Sequence, residues 1–257
     1  MVTPRDLLIY YAHKHLGVWN EIYKAIKTKE MFKTEDVKAI VENMPYKAIT
    51  LFDKEYPEIL KNIYHPPLVL FYYGDISLLD SSRRKLAVVG SRECTSKGKE
   101  ITRRLVEEVT PEYIIVSGMA EGIDSEAHLA SMENGGRTVA VLGTGIDYCF
   151  PPDNIYLYKE LKDKQLVISE YPGNLFPATG SFPQRNRIIA GLSSGVLVTE
   201  AKLKSGTMIT ATFALQYGID VMCVPYFPDE ESGCNRLIKD GAFLIETAKD
   251  IKNVLEK

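Results

Sequence analysis

Leu86-Ala-Val-Val-Gly-Ser-Arg92, Tyr113-Ile-Ile-Val-Ser-Gly118 and Thr138-Val-Ala-Val-Leu-Gly143 repeat one pattern, a short apolar run that stops at or beside a glycine. None of these runs alternates apolar with polar residues, so neither face of such a strand suits water. The segments after them read as amphipathic helices near Lys97–Val109 and Ile123–Asn134. The alternation continues with a helix near Asn154–Leu161, a strand at Leu166–Ser169 and a strand at Gly195–Thr199. It closes with a helix near Thr207–Tyr217, a strand at Val221–Val224, a helix near Cys234–Lys239 and a strand at Phe243–Ile245. Buried strands that alternate with helices predict an α/β fold. Its sheet is doubly wound, mostly parallel and covered on both faces, with right-handed crossovers.

Upstream the pattern differs. Residues 1–48 read as a small helical module: Leu7, Leu8, Tyr11 and Leu16 recur near helical spacing, then Trp19, Ile22, Tyr23 and Ile26. Thr34-Glu-Asp opens a third helix with acids in its first turn, where the helix dipole favours them. Residues 49–257 form the principal domain, with Leu68–Tyr73 as an early strand.

With 257 residues, 45% apolar and 25% charged, the composition is that of an ordinary globular protein. No run approaches the roughly 20 apolar residues that span a bilayer, and the first residues lack a secretory pattern, so a cytoplasmic location without membrane contact is expected. Cys94, Cys149, Cys223 and Cys234 lack the paired spacing of a zinc site. The net charge of −3 argues against a wide basic face that coats duplex DNA. It leaves room for a narrow basic groove, because residues 181–207 hold Arg185, Arg187, Lys202 and Lys204 against Glu200 alone.

In doubly wound sheets ligands bind beyond the carboxyl ends of the strands. The residues there are Gly90-Ser-Arg92, Ser117-Gly-Met-Ala-Glu-Gly-Ile-Asp124, Gly143-Thr-Gly145 and Ser169-Glu170. Gly180-Ser-Phe-Pro-Gln-Arg-Asn-Arg-Ile-Ile-Ala-Gly191 follows, with two guanidiniums and an amide before an apolar run. Arg forks match the planar geometry of phosphate and carboxylate oxygens. Alone, that segment reads equally well as a capped helix start with solvated arginines. Lys204-Ser-Gly-Thr207 places backbone donors, hydroxyls and a cation at another helix start. Several such turns on one edge predict a phosphate-binding site. No G-x-G-x-x-G follows the first strand and no Walker A lysine is present, so no dinucleotide or other cofactor is expected.

Taken together, Tyr56-Pro57, Pro66-Pro67, Val89-Gly-Ser-Arg92, Ser117-Gly-Met-Ala120, Gly122-Ile-Asp124, Ser169-Glu-Tyr-Pro172, Phe182–Ser193 and Ser205–Thr210 closely resemble the DNA-processing protein A (Smf) family of bacterial natural transformation. The likeness runs from about Ile49 to Ile251. It implies a Rossmann-like domain that binds single-stranded DNA, forms a homodimer and has no enzymatic activity. It also implies protection of incoming strands and loading of the RecA recombinase while single-strand-binding protein is displaced. By motif, Arg92 would clamp a phosphate in a pocket shaped by Gly90, Ser91, Ser117 and Gly118. Phe182 would meet a base or sugar, and Arg185, Asn186, Arg187, Lys204, Ser205, Gly206 and Thr207 would hold further phosphates.

Glu121 stands where many members carry arginine, and Thr179 where some carry lysine. Both changes remove positive charge near the groove. The chain stops soon after Ile251, so the C-terminal winged-helix-like module of many members is expected to be absent, and the N-terminal helices are compatible with a sterile-alpha-motif-like domain. Two other readings use the same edge: a mononucleotide sensor, and a phosphoribohydrolase-type enzyme. The enzyme reading lacks its glutamate, since Thr210 occupies that place in the turn, and leaves Glu170 or Glu200 as acid–base groups.

Overall fold

The computed structural model describes residues 1–228 and 231–256. Among them, nine strands form one sheet in the order β1-β2-β6-β5-β4-β3-β7-β8-β9. β1 (Lys47–Thr50) and β2 (Val69–Gly74) form an antiparallel edge on β6. The remaining pairs are parallel: β3 (Lys85–Val89), β4 (Ile114–Ser117), β5 (Thr138–Gly145), β6 (Leu166–Tyr171), β7 (Gly195–Val198), β8 (Asp220–Cys223) and β9 (Phe243–Leu244).

The unbroken apolar runs have a direct cause. Ala87 and Val89, Val139 and Val141, and Val196 and Val198 face a core shared with α7 (Ser181–Gly191) and α8 (Gly206–Gln216). Their neighbours Leu86, Val88 and Leu197 face the opposite side, under α4 (Ser96–Val109), α5 (Ile123–Glu133) and a C-terminal helix, α10 (Ala248–Leu255). Each strand therefore supplies two dry faces. The helix α10 was not expected from the sequence, although Thr247 and Asp250 form a reciprocal capping box at its start. Its buried Ala248, Ile251 and Val254 recur every third residue.

The N-terminal helices α1 (Pro4–Lys14), α2 (Trp19–Lys27) and α3 (Thr34–Asn43) are seated on the sheet. Leu8 to Ala12 of α1 join one apolar cluster with Phe71, Ala140, Leu142 and Val167 of the strands and with Leu161 of α6 (Ile155–Lys164). β1 begins at Lys47, so it crosses the expected boundary after residue 48. α9 (Gly233–Lys239) packs beside β8.

Arg187 sets the placement of α7. It is 1% exposed, and all five of its N–H donors are taken. Nη1 and Nη2 each donate to one oxygen of the Glu170 carboxylate at 2.6 Å. Nε and Nη2 also donate to the His65 carbonyl at 3.0 and 2.7 Å, and Nη1 donates to the Gln184 carbonyl at 2.9 Å. Burial opposes the Arg187 charge, but the adjacent Glu170 carboxylate more than offsets this and its pKa is raised. One side chain thus joins α7, the end of β6 and the segment before β2.

Removing one partner of a buried, bidentate pair leaves the other charge uncompensated, at a cost of about 3–5 kcal/mol. Arg187→Ala is expected to lose stability on that scale in urea unfolding, and Glu170→Ala with Arg187→Ala together to lose less than the sum of the single variants.

His128 provides a pH test. It is fully buried on α5, and Nδ1 meets Thr138 Oγ1 at 2.6 Å. The Thr138 hydroxyl donates to the Ile115 carbonyl at 2.9 Å, so His128 Nδ1–H is the donor to it. Burial pushes its pKa down from 6.5 to about 3. The unfolded chain then binds one more proton than the folded chain between those values, and stability falls as the pH drops through that window. In His128→Gln, this one-proton contribution to the pH dependence of unfolding is expected to disappear.

Candidate nucleic-acid interface

The chain runs β3, β4, β5, β6 towards one side, then returns across β3 to place β7 on the other. The reversal between β3 and β7 opens a crevice at the carboxyl ends of the strands. A groove of about 480 Å³ lies there. Its walls come from the turns after β3, β4 and β7 and from the first turns of α7 and α8.

Gly90 begins the turn after β3. A Cβ there would lie 2.5 Å from the Ile123 side chain and 2.8 Å from the Glu200 carbonyl. The missing side chain lets Ser91 N–H donate to that carbonyl at 2.8 Å, which ties the β3 and β7 turns together. Arg92 follows, exposed, with its guanidinium 5.3 Å from the centre of the Phe182 ring. No carboxylate pairs with Arg92 among the described residues. It is held at the mouth by the ring and keeps its donors free.

Arg185 lies deeper and is buried. Nη1 donates to the Gly118 carbonyl at 2.6 Å and to the Val141 carbonyl, and Nε to Asn186 Oδ1 at 3.1 Å. Only glycine fits at 118, because a Cβ there would come within 2.6 Å of the guanidinium. Burial lowers the Arg185 pKa to about 10, while the nearby Asp124 carboxylate acts the other way. It stays charged at neutral pH. Nη2 has no hydrogen-bond partner among the described residues and is the donor left for a ligand. Asp124 accepts from the N–H groups of Gly118 and Ala120 at 3.2 and 3.4 Å. Burial raises its pKa against the opposing effect of Arg185.

α8 begins on the groove at Gly206. Ser205, its N-cap, makes no side-chain cap and donates instead to the Lys202 carbonyl at 3.0 Å. The first N–H groups of the helix are left for an anion, at the positive end of the dipole. Asn186 Nδ2 donates to the Gly206 carbonyl at 3.2 Å and fixes this helix start against α7.

Of the residues picked from sequence, Gly90, Ser91, Arg92, Phe182, Arg185, Asn186, Ser205, Gly206 and Thr207 line the groove. Four lie elsewhere. Ser117 is buried behind it and donates to the Val88 carbonyl at 2.6 Å, and Gly118 serves as the seat of Arg185. Lys204 is exposed and is not among the lining residues. Arg187 faces the core, so the expectation that it holds a phosphate is corrected: every donor it has is already bonded.

The sequence reading also missed Asp124, Lys202 and Thr210 as lining residues. Lys202 pairs with Glu93 at 2.7 Å across the mouth. Both acids weighed for catalysis are committed elsewhere. Glu170 holds Arg187, and Glu200 accepts from the N–H and hydroxyl of Thr95, the N-cap of α4, at 3.0 and 2.8 Å. The charged lining is therefore Arg92, Arg185 and Lys202 against Glu93 and Asp124. Among the described residues Lys202 and Glu93 form an ion pair, Arg185 is bonded to carbonyls and an amide, and Arg92 has only the Phe182 ring.

The sequence profile of the DNA recombination-mediator protein A family matches residues 47–256. DNA processing protein DprA of Streptococcus pneumoniae is 39% identical over 229 residues, 88% of this chain and 80% of that protein. The X-ray structure of the Streptococcus pneumoniae protein superposes with a TM-score of 0.82 at 34% identity, over 98% of this chain and 93% of the other. A Helicobacter pylori structure, described for the unique single-stranded DNA binding mode of DNA processing protein A, gives 0.73 at 31% identity over 83% and 97% of the two chains. With its Rossmann-like sheet and this profile over most of its length, the chain belongs to the DNA recombination-mediator protein A family.

Proposed function

We propose that the groove holds single-stranded DNA and that the chain acts on it as a binding protein without catalysing a reaction. One observation carries the reading: an unpaired arginine, an aromatic ring and an uncapped helix start converge on one crevice. Unstacked bases need a π-face and the backbone needs donors, and these residues supply both. The Helicobacter pylori relative, described for its single-stranded DNA binding mode, supports the same ligand. Arg92 takes one phosphate, Arg185 Nη2 and the α8 N-terminus take another, and Phe182 meets a base or sugar. In the cell this activity protects incoming strands and loads RecA onto them while single-strand-binding protein is displaced. We place it in the cytoplasm and expect a homodimer.

A groove of about 480 Å³ would also accommodate a mononucleotide, which is the competing reading. Fluorescence anisotropy with oligo-dT of graded length separates the two. Affinity is expected to rise from one to several nucleotides and then level off, and duplex DNA to compete poorly. A mononucleotide that binds as tightly as the longest oligomer would overturn the DNA reading.

Few cations are free, so the salt dependence is expected to be shallow. Arg92→Ala should weaken oligo-dT binding and flatten the log–log salt slope by about 0.7, one phosphate contact on a single strand. An unchanged slope would remove the phosphate from Arg92.

A further inference from the structure

The aromatic surface does not end at the groove. The loop after β5 carries Tyr148 and Phe150, and the loop after β6 carries Phe176. Phe150 lies 5.5 Å from Phe182, ring centre to ring centre, and Tyr148 lies 5.4 Å from Phe176 with the planes at 66°. Phe182 lines the groove, and Tyr148 and Phe150 stand two residues apart on one loop, so that loop carries a member of each pair. Phe176 is 71% exposed, although its backbone is anchored. Gly145 N–H donates to the Leu175 carbonyl and Asp147 N–H to the Gly173 carbonyl, each at 2.9 Å. A ring presented to water on a fixed backbone loses little freedom on binding.

The charge along this path fits a polyanion. Between Glu170 and Glu200 the sequence contains no acidic residue. Of the two acids between β5 and α6, Asp147 accepts from the Tyr73 hydroxyl at 2.7 Å with Lys162 at 3.8 Å, and Asp153 lies at the far end of the segment, two residues before α6. Holding the two loops together would need only the buried edges of these rings, which leaves the open face of Phe176 unexplained.

We propose that Phe176, backed by Tyr148 and continuous with Phe150 and Phe182, is a second stacking subsite for bases of the same single strand. This rests on the DNA reading of the groove. The strand enters at the α8 start, passes Arg92 and Phe182, and leaves over the loop before α7. Stacking there is indifferent to base identity, since every base has a π-face, and it adds affinity without phosphate contacts.

The test is oligo-dT binding by wild type, Phe176→Ala and Phe176→Trp, from two nucleotides to beyond the plateau, at two salt concentrations. Phe176→Ala should bind the shortest oligomers as wild type does and lose about five-fold or more at plateau length, with an unchanged salt slope. Phe176→Trp should restore the plateau affinity. A variant that tracks wild type at every length, or that loses equally at all lengths, overturns the subsite and leaves the groove reading intact. If wild type binds no oligomer, the groove reading falls and the subsite falls with it.

Discussion

The buried pair of Arg187 and Glu170 is the interaction on which the rest of the site depends. It is bidentate, excluded from water and completed by the His65 carbonyl. That carbonyl belongs to a residue with φ of +49°, an unfavourable conformation for a side chain with a Cβ. The segment is clamped from its other side by α2, where the Trp19 ring stacks on His65 at 4.1 Å and its indole N–H donates to the Pro66 carbonyl at 2.8 Å. The N-terminal helices, the antiparallel edge of the sheet and α7 are therefore linked through two consecutive residues, His65 and Pro66. The first turn of α7 carries Phe182, and its position over the sheet edge follows from this linkage.

Within one helix, two arginines separated by one residue do opposite work. Side chains two apart on a helix point roughly 200° apart, so Arg185 and Arg187 face different surroundings. Arg187 is saturated and neutralised. Arg185 is buried beside the groove with its guanidinium lodged over Gly118, next to a carboxylate that tempers its charge. Arg92, at the mouth, is the opposite case, exposed and held only by an aromatic ring. A ligand that enters meets a free cation first, then donors prefixed in a desolvated floor. With so few unpaired charges, a strand bound as proposed would draw much of its affinity from ring stacking. That agrees with the acidic net charge of −3 and with the acid-free stretch from 171 to 199.

The sheet was readable from sequence because each parallel strand faces two cores, and that requirement writes itself as an unbroken apolar run. Part of the crevice was legible for a related reason: Gly90 after β3 and Gly118 after β4 stand where a Cβ would collide with neighbouring atoms. What escaped was pairing. Nothing local to Arg187 reveals that Glu170 meets it, since their contact depends on how β6 and α7 pack. The helical angle between Arg185 and Arg187 was available and argued against both facing one ligand. Two lysines two residues apart, Lys202 and Lys204, look alike in sequence, yet only Lys202 lines the groove, where it pairs with Glu93. Helix α10 was signalled by Thr247-x-x-Asp250, a capping box in a segment otherwise too short and polar to draw notice.

Photo-cross-linking with oligo-dT carrying 5-iododeoxyuridine, followed by mass spectrometry, tests the central claim most directly, because the reaction requires contact between a base and a side chain. The account predicts adducts on Phe182 that are lost when an excess of unmodified oligo-dT is added. Adducts confined to the N-terminal helices or to α9, with Phe182 unmodified, would contradict it.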